Sequence, residues 1–461
     1  MTSFQKAKDR IAQGILGLSR SYSGNKRSIL RLEEPCPRVN CLDWLYAQAG
    51  EVKLYWADRD NSFQMAGIGI ADQARGEVIH SYASVFQAIS RKLSSGDQSR
   101  YYGGMGFYPP EANRGRASKS AKAREWKAFG GYCFLLPRFE IVNRRGKYFL
   151  ACNIAAQHIG ELLIKDCLGA LEKISFSVAS RAASILKIKS LSLSPDSEEW
   201  QKLFREHIQP AGKMAYEKII LAQNTSIELT SEVNPLEVFR KLTQAAQGSF
   251  HYYFQPLKNC AFFGASPERL LKRQGVDIES EALAGTRPRG KTPREDAYYE
   301  RALRDSPKEE LEQGIVVRAI KGAFKKLCVS WEADSKPSVA KASSAHHLIT
   351  RFRGTLKDNV DDARILTVLH PTPAVGGIPR AEALKAIAKL EPFERGWYAG
   401  PIGYIGYDCV DFAVALRCAL MKDNLVNLYA GAGIVEGSSA DEEWQEIEQK
   451  KSIFLNLFRK R

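Results

Sequence analysis

Apolar and polar positions follow two periods along this chain. In the first third, short apolar runs bounded by glycines and polar clusters predict strands at Ser28 to Leu32, Val52 to Trp56, Met65 to Ile70, Gly131 to Pro137 and Tyr148 to Ile154. A helix is predicted around Ser84 to Leu93. Residues 1–27 read as a basic, loosely ordered or helical extension, and Pro109 to Arg124 as a mobile loop. Residues 184–199 read as an exposed connection. Ser197 would then cap a helix through Trp200 to His207.

The second half alternates more clearly. Strands are predicted at Lys218 to Gln223, Ser226 to Leu229, Phe250 to Pro256, Cys260 to Gly264 and Leu425 to Ala430. Ile402 to Asp408 and Asp411 to Ala419 read as a hairpin. Helices are predicted at Pro235 to Ala246, Asp296 to Arg304, Pro307 to Leu327 and Ala440 to Phe458. There is no repeat and no dinucleotide-binding fingerprint. Many antiparallel strands with interspersed helices predict an α+β sandwich rather than a doubly wound sheet.

Composition narrows the class. The chain has 461 residues, 44% hydrophobic and 26% charged, as a soluble globular protein does. No apolar run approaches the roughly 20 residues that span a bilayer. The island Ile15 to Leu18 is too short for a signal-peptide core, so a cytoplasmic protein is expected. Nine cysteines without a close CxxC pair read as idle thiols in a reducing compartment. The net charge is +15, with basic residues crowded between Arg114 and Lys147. That crowding suits a solvated face, a nucleic-acid patch or a field for a small anion. Charge alone does not separate the three.

Several residues carry chemistry. Glu309 and Glu312 stand three apart on a predicted helix, and so do Glu443 and Glu446, with Lys450 one turn further on. Two such pairs can hold a hard divalent cation such as Mg²⁺. Spacing alone favours two solvated acidic faces. Lys218 opens an apolar strand, where a lysine reaches a cleft as a base or snorkels at a strand end. Glu281 precedes the small-residue run Ala282-Leu283-Ala284-Gly285-Thr286-Arg287 and reads as an acid or as an ordinary polar residue. Gly431-Ala432-Gly433 reads as a turn whose N–H groups approach a carboxylate. Arg417, amid apolar neighbours, wants a carboxylate or a structural partner. His347 orients a substrate oxygen or is a satisfied core histidine.

The order of these signals is more specific than any one of them. Lys218 with Ile219-Ile220-Leu221-Ala222, Ser266-Pro267-Glu268-Arg269-Leu270, Glu281 before Leu283-Ala284-Gly285-Thr286-Arg287, Glu309/Glu312, His347-Leu348, Arg417, Gly431-Ala432-Gly433 and Glu443/Glu446/Lys450 follow one another in register. In that order, over about residues 200–455, the chain resembles the chorismate-utilising enzymes. The run His370-Pro371-Thr372-Pro373-Ala374-Val375-Gly376-Gly377 resembles the isochorismate synthase version of its loop. Leu30 to Glu33, Trp44-Leu45, Tyr55-Trp56, Ala66 to Gly69 and Phe129 to Gly131 resemble the menaquinone/phylloquinone-pathway branch. Gln223, Gln313 and Gly314 depart from the family pattern without touching a proposed catalytic group.

The resemblance implies one sandwich of two facing antiparallel sheets with helices outside, spanning residues 28–461. It implies isomerisation of chorismate to isochorismate, with water adding at C2 and the C4 hydroxyl leaving. Lys218 would be the base and Glu281 the acid. Mg²⁺ would be held by Glu312 and Glu446, with Glu309 and Glu443 holding its waters. Tyr398, Arg417, His347, Lys450 and the Gly431 and Gly433 backbone would bind the substrate. A monomer is expected, with no nucleic-acid or membrane partner. Salicylate synthesis is the nearest rival reaction. From another class, a basic nucleic-acid-binding protein using Arg114 to Lys147 is the alternative.

Overall fold

A computed structural model describes residues 3–21, 29–113, 125–155, 159–176, 186–208, 216–342 and 345–458. Its strands form two antiparallel sheets, one of 12 strands and one of 10. The first runs in the order Ile29–Cys36, Lys147–Ala155, Phe139–Arg144, Phe63–Ile68, Lys53–Ala57, Phe250–Leu257, Cys260–Ser266, Cys418–Lys422, Leu425–Val435, Lys218–Leu229, Gly377–Ile378. The second runs Cys328–Ala333, Ala345–Leu356, Asp277–Pro288, Arg269–Gln274, Cys409–Val414, Pro401–Gly406, Arg100–Met105, Tyr132–Leu136, Asp72–Gly76. The first 155 residues therefore supply strands to both sheets.

Strand alternation builds two cores. In Lys53–Ala57, Leu54 and Trp56 join the cluster between the sheets, while Tyr55 and Ala57 join a second cluster. Across the inner gap Trp56 meets Tyr404 edge to face at 6.1 Å, and Phe63 lies 5.3 Å from the same ring. On the outer face of the first sheet, Phe239 packs on Phe263 at 5.7 Å and Phe454 on Phe263 at 6.3 Å. These bring helices Pro235–Ala245 and Ala440–Phe458 down onto it. The N-terminal helix Ser3–Ser21 buries Ala7, Ile11 and Ile15, four residues apart, against strand Ile29–Cys36 and helix Glu161–Glu172. Truncating a ring such as Trp56 or Phe263 costs about 3–5 kcal/mol at sites of this kind.

Helix boundaries follow their caps. Ser306 caps Pro307–Leu327 through Glu309 N, with proline in the first turn. The 184–199 segment differs from expectation. Ile188–Ser194 is a strand paired with Lys218–Leu229, and Leu191 and Ile188 are exposed, so no burial pattern marks it. Asp196, not Ser197, caps the next helix, in a reciprocal box with Glu199. That helix, Ser197–Leu203, passes into a wider turn over Phe204–Ile208. The mobile loop expected at Pro109 to Arg124 lies outside the described residues from 114 to 124.

Two of the short links that carry the chain from one sheet to the other border the site. Strand Cys260–Ser266 lies in the first sheet and Arg269–Gln274 in the second, so Pro267 and Glu268 make the crossing. The reverse crossing is Ala415-Leu416-Arg417, between Cys409–Val414 and Cys418–Lys422. The single strand expected from Asp411 to Ala419 is thus broken, and Arg417 at the break has φ +48°. A non-glycine residue there is held by its surroundings against its own preference.

Candidate active site

A cavity of about 700 Å³, part of it open to solvent, lies where these crossings meet the long strands. Lys218, Glu312, His347, Tyr398, Arg417, Gly431, Gly433, Glu446 and Lys450 all line it. Glu281, Glu309 and Glu443 do not.

Lys218 opens a continuous strand, Lys218–Leu229, flanked by Leu425–Val435 and, at its start, by Gly377–Ile378. Its side chain is buried, and Nζ stands 3.8 Å from Glu312 Oε1. Side chains alternate along a strand, so Lys218 and Ile220 both reach the cavity.

The carboxyl group that shares this cavity is Glu268 rather than Glu281. Glu281 is engaged elsewhere: both its oxygens accept from the Arg59 guanidinium, one at 3.0 Å. Glu268 stands on the Pro267-Glu268 crossing, is 2% exposed, and its Oε1 has no hydrogen-bond partner. Burial, and then the negative charge of Glu281, push its pKa up to about 8 against the pull of Lys218, Arg59 and Lys450. It is a protonated carboxyl at neutral pH. In the sequence it stands in the run Ser266-Pro267-Glu268-Arg269-Leu270 that carries the family resemblance, with no role assigned to it.

A cationic wall stands near the carboxyl. Arg417 is half-buried, and its guanidinium has no ion-pair partner among the described residues; desolvation lowers its pKa, with Glu446 and Tyr398 opposing. A half-buried guanidinium facing a cavity without an ion-pair partner suits an anion. Lys450 donates to Gly431 O at 2.8 Å and pairs with Glu446 at 2.5 Å. Tyr398 stacks on Tyr429 with centroids 5.4 Å apart. His347 Nδ1 lies 3.1 Å from Gly285 O and 3.2 Å from Thr286 Oγ1. A carbonyl only accepts, so Nδ1 carries the proton and Nε2 is left an acceptor. Burial lowers the His347 pKa to about 3, so the ring is neutral.

Gly431-Ala432-Gly433 is not the expected turn. It is mid-strand, with Gly431 opposite Ala222 and Gly433 opposite Ile220. Its glycines serve as clearance. A Cβ on Gly433 would stand 2.2 Å from Glu312 Oε1 and 3.0 Å from Lys218 Cε.

Glu309 and Glu312 lie on helix Pro307–Leu327, and Glu443 and Glu446 on helix Ala440–Phe458. Each faces a base: Arg287 with Glu309, Lys218 with Glu312, Lys308 with Glu443 at 2.6 Å, and Lys450 with Glu446. Burial pushes Glu312 up to about 7, with Glu446 and Glu309 adding to it against Lys218. Burial works the same way on Glu446, but Lys450 overrides it and holds that carboxyl below its ordinary range. Among the described residues no three His, Cys, Asp or Glu side chains converge as a preformed metal site. The donor set still fits Mg²⁺, which takes one or two protein carboxylates and keeps several waters. Glu312 and Glu446 are hard oxygen donors on the cavity wall, and Glu443 Oε2 is buried without a partner beside them.

The His370–Gly377 stretch forms another wall, through Ala374 and Val375. It is sewn to the Lys218 strand. Ile220 N donates to Gly376 O at 3.0 Å, and the buried Arg395 donates to Val375 O at 2.8 Å and to Ile220 O at 2.9 Å. Gly377 has φ +148°, and a Cβ there would stand 2.4 Å from Lys218 O, so only glycine fits. Arg395 was given no role by sequence; its acidic partner Glu391 is four residues before it, but the carbonyl of Ile220 that it ties to the loop lies 175 residues away.

In the described part of the basic run Arg138 and Arg144 are engaged within the protein, while Lys127, Arg145 and Lys147 are exposed. Arg144 is paired to Glu33 at 2.7 Å, and Arg138 donates to Cys167 Sγ at 3.2 Å and Ile70 O at 3.2 Å.

Residues 16–459 match the model of a chorismate binding enzyme family. The chain is 32% identical to isochorismate synthase 2, chloroplastic, of Arabidopsis thaliana, over 97% of this chain and 84% of that protein. It is 30% identical to the chloroplastic isochorismate synthase of Catharanthus roseus, over 98% of this chain and 85% of that protein. Among solved structures, the menaquinone-specific isochorismate synthase of Escherichia coli superposes with a TM-score of 0.84 at 26% identity, covering 99% of this chain and 100% of that one.

Proposed function

The chain belongs to the chorismate-binding enzyme family, and from that premise we propose that it is an isochorismate synthase. One observation carries the reading. A buried lysine and a protonated carboxyl line the same cavity as a half-buried arginine with no ion-pair partner among the described residues.

The reaction exchanges a hydroxyl position. Water is a poor nucleophile and hydroxide a poor leaving group, so the step needs a base and an acid at separate points of the ring. Lys218 Nζ takes a proton from the water that adds at C2. Glu268 gives its proton to the hydroxyl departing from C4, and the ring double bonds shift between them. The acid role expected for Glu281 passes to Glu268, because Glu281 is held by Arg59 outside the cavity wall. Arg417 and Tyr398 grip one carboxylate of the substrate, Lys450 adds charge near the other, and His347 accepts a substrate hydroxyl at Nε2. Gly431 and Gly433 let the ring approach the strand closely.

Glu312 and Glu446 would hold Mg²⁺, with Glu309 and Glu443 supporting its waters. When bound, the ion neutralises a substrate carboxylate in a site too buried for water to do so.

The superposing Escherichia coli enzyme is menaquinone-specific, and we assign the product of this chain to the same use. The nine cysteines are free thiols, which suits the cytoplasm, and among the described residues no helix is long and apolar enough to cross a membrane. The test is incubation with chorismate and Mg²⁺, with and without ammonia, followed by chromatography. Isochorismate alone is expected. Salicylate or anthranilate as the main product overturns the assignment. Activity that EDTA leaves untouched removes the role given to the glutamates.

A further inference from the structure

The backbone that carries Glu268 is held from both sides. On one side Ser266 Oγ accepts from Glu268 N at 3.2 Å and donates to Val414 O at 2.6 Å, while Val414 N donates to Glu268 O at 3.1 Å. On the other side stands Arg59, in the turn between strands Lys53–Ala57 and Phe63–Ile68. Its Nη2 donates to Pro267 O at 2.6 Å, and both Nη atoms donate to Glu281. Glu281 in turn accepts from Arg269 N at 3.4 Å. The Arg59 guanidinium lies 4.6 Å from the Phe250 ring centroid.

This pair is dear to bury, and it lies off the cavity wall. Its contacts fall on the residues immediately before and after the acid. We propose that Arg59 and Glu281 are positioning residues for the acid: a clamp on Pro267 O and Arg269 N that leaves Glu268 only one direction for its carboxyl group. The proposal rests on the reading of Glu268 as the acid.

The clamp also has an electrostatic side. The charged groups facing Glu268 are Lys218 from the long strand, Lys450 from the C-terminal helix, Arg59 from the turn and Glu281 from strand Asp277–Pro288. Three of these four pull the proton off; Glu281 alone favours keeping it. Glu281 thus answers the cations that the anionic substrate requires, while Arg59 makes it tolerable to bury.

Glu281→Gln keeps the shape and removes the charge; Arg59→Lys keeps the charge and loses the fork. For E281Q we expect kcat to fall about 10- to 100-fold, the cost range of a misplaced group, with KM for chorismate within about threefold. The alkaline limb of its kcat–pH profile moves to lower pH. R59A loses a similar factor, R59K recovers part of it, and R59A/E281A is no worse than the poorer single variant, because the two act as one unit. Should E281Q fold poorly by circular dichroism, R59K against R59A decides. Wild-type kcat and an unmoved alkaline limb in E281Q, or raised KM with unchanged kcat across the series, overturns the clamp. Glu268→Gln is the control. If E268Q still turns over, the acid assignment falls and the clamp with it; if E268Q is dead while E281Q and R59A are unaffected, the clamp alone falls.

Discussion

Gly433→Ala tests the geometry of the site with a single methyl group. Gly433 does not have a positive φ, so alanine is acceptable to the backbone, and such a change elsewhere gains about 0.4–1 kcal/mol by restricting the unfolded chain. The new Cβ, however, stands 2.2 Å from Glu312 Oε1, 3.2 Å from Glu312 Cδ and 3.0 Å from Lys218 Cε. Ordinary contacts between heavy atoms begin at about 3.5 Å. Glu312 must therefore retreat by more than 1 Å, and Lys218 by several tenths, in a wall with little room. Misplacement on that scale costs roughly 100-fold in rate, or about 2.7 kcal/mol of transition-state stabilisation. Initial rates of isochorismate formation, read by chromatography, should show that loss in kcat/KM, while Tm stays within about 4 °C of wild type. A kcat/KM within threefold of wild type refutes the claim that the glycine exists to clear space for these two side chains. A collapse in Tm of more than 10 °C refutes it too, since the residue would then be structural.

Other expectations follow from the same geometry. Lys218→Ala and Glu268→Gln should each lose turnover by about 10²–10⁴-fold with an intact circular dichroism spectrum; near-wild-type rate in either variant removes it from the chemistry. Glu268 must be protonated to act and titrates at about 8, so kcat should fall as pH rises through that value, and a rate flat from pH 7 to 9.5 contradicts the assignment. His251, His347 and His370 are neutral in the fold, with burial lowering them to about 4, 3 and 3. The unfolded chain binds those protons near pH 6.5, so stability is full above that pH and is lost as pH falls toward 3–4. Thermal unfolding between pH 4 and 8 measures this, and a Tm that does not drop on the acid side counts against it. Arg395→Ala strands Glu391 without its 2.8 Å partner in the interior and should cost about 3–5 kcal/mol in denaturant titrations; a loss below 1 kcal/mol would show that the loop is held by its backbone alone.

Much of this molecule can be read from its sequence, for reasons that differ by element. Helices Pro307–Leu327 and Ala440–Phe458 announce themselves by period and by residues such as Ser306, because local rules decide them. Lys218, Arg417 and the glutamates stand out as charges in apolar company, and their common order makes the family visible. Local rules also explain the errors. Glycine is a turn former, so Gly431-Ala432-Gly433 reads as a turn, although the structure uses the missing side chains and not the flexibility. Ile188–Ser194 pairs at an exposed position where nothing forces alternation. Glu281 sits beside a small-residue run and draws the eye, while Glu268 follows a proline and looks like the end of a strand. Only pairing between distant strands shows that the chain changes sheets at Glu268. Arg59 is further out of reach, since its partner Glu281 lies 222 residues away.

The two crossings bear on how this protein can change over generations. Pro267-Glu268 and Ala415-Leu416-Arg417 are both tied at each end to strands already paired in different sheets. An inserted residue that slipped a strand by one position would turn every following side chain to the opposite face. Insertions and deletions are thereby disfavoured at the acid and at Arg417, where exchanging one side chain for another disturbs less. A new product specificity must come through the remaining walls, of which the side chains of Ala374 and Val375 form one.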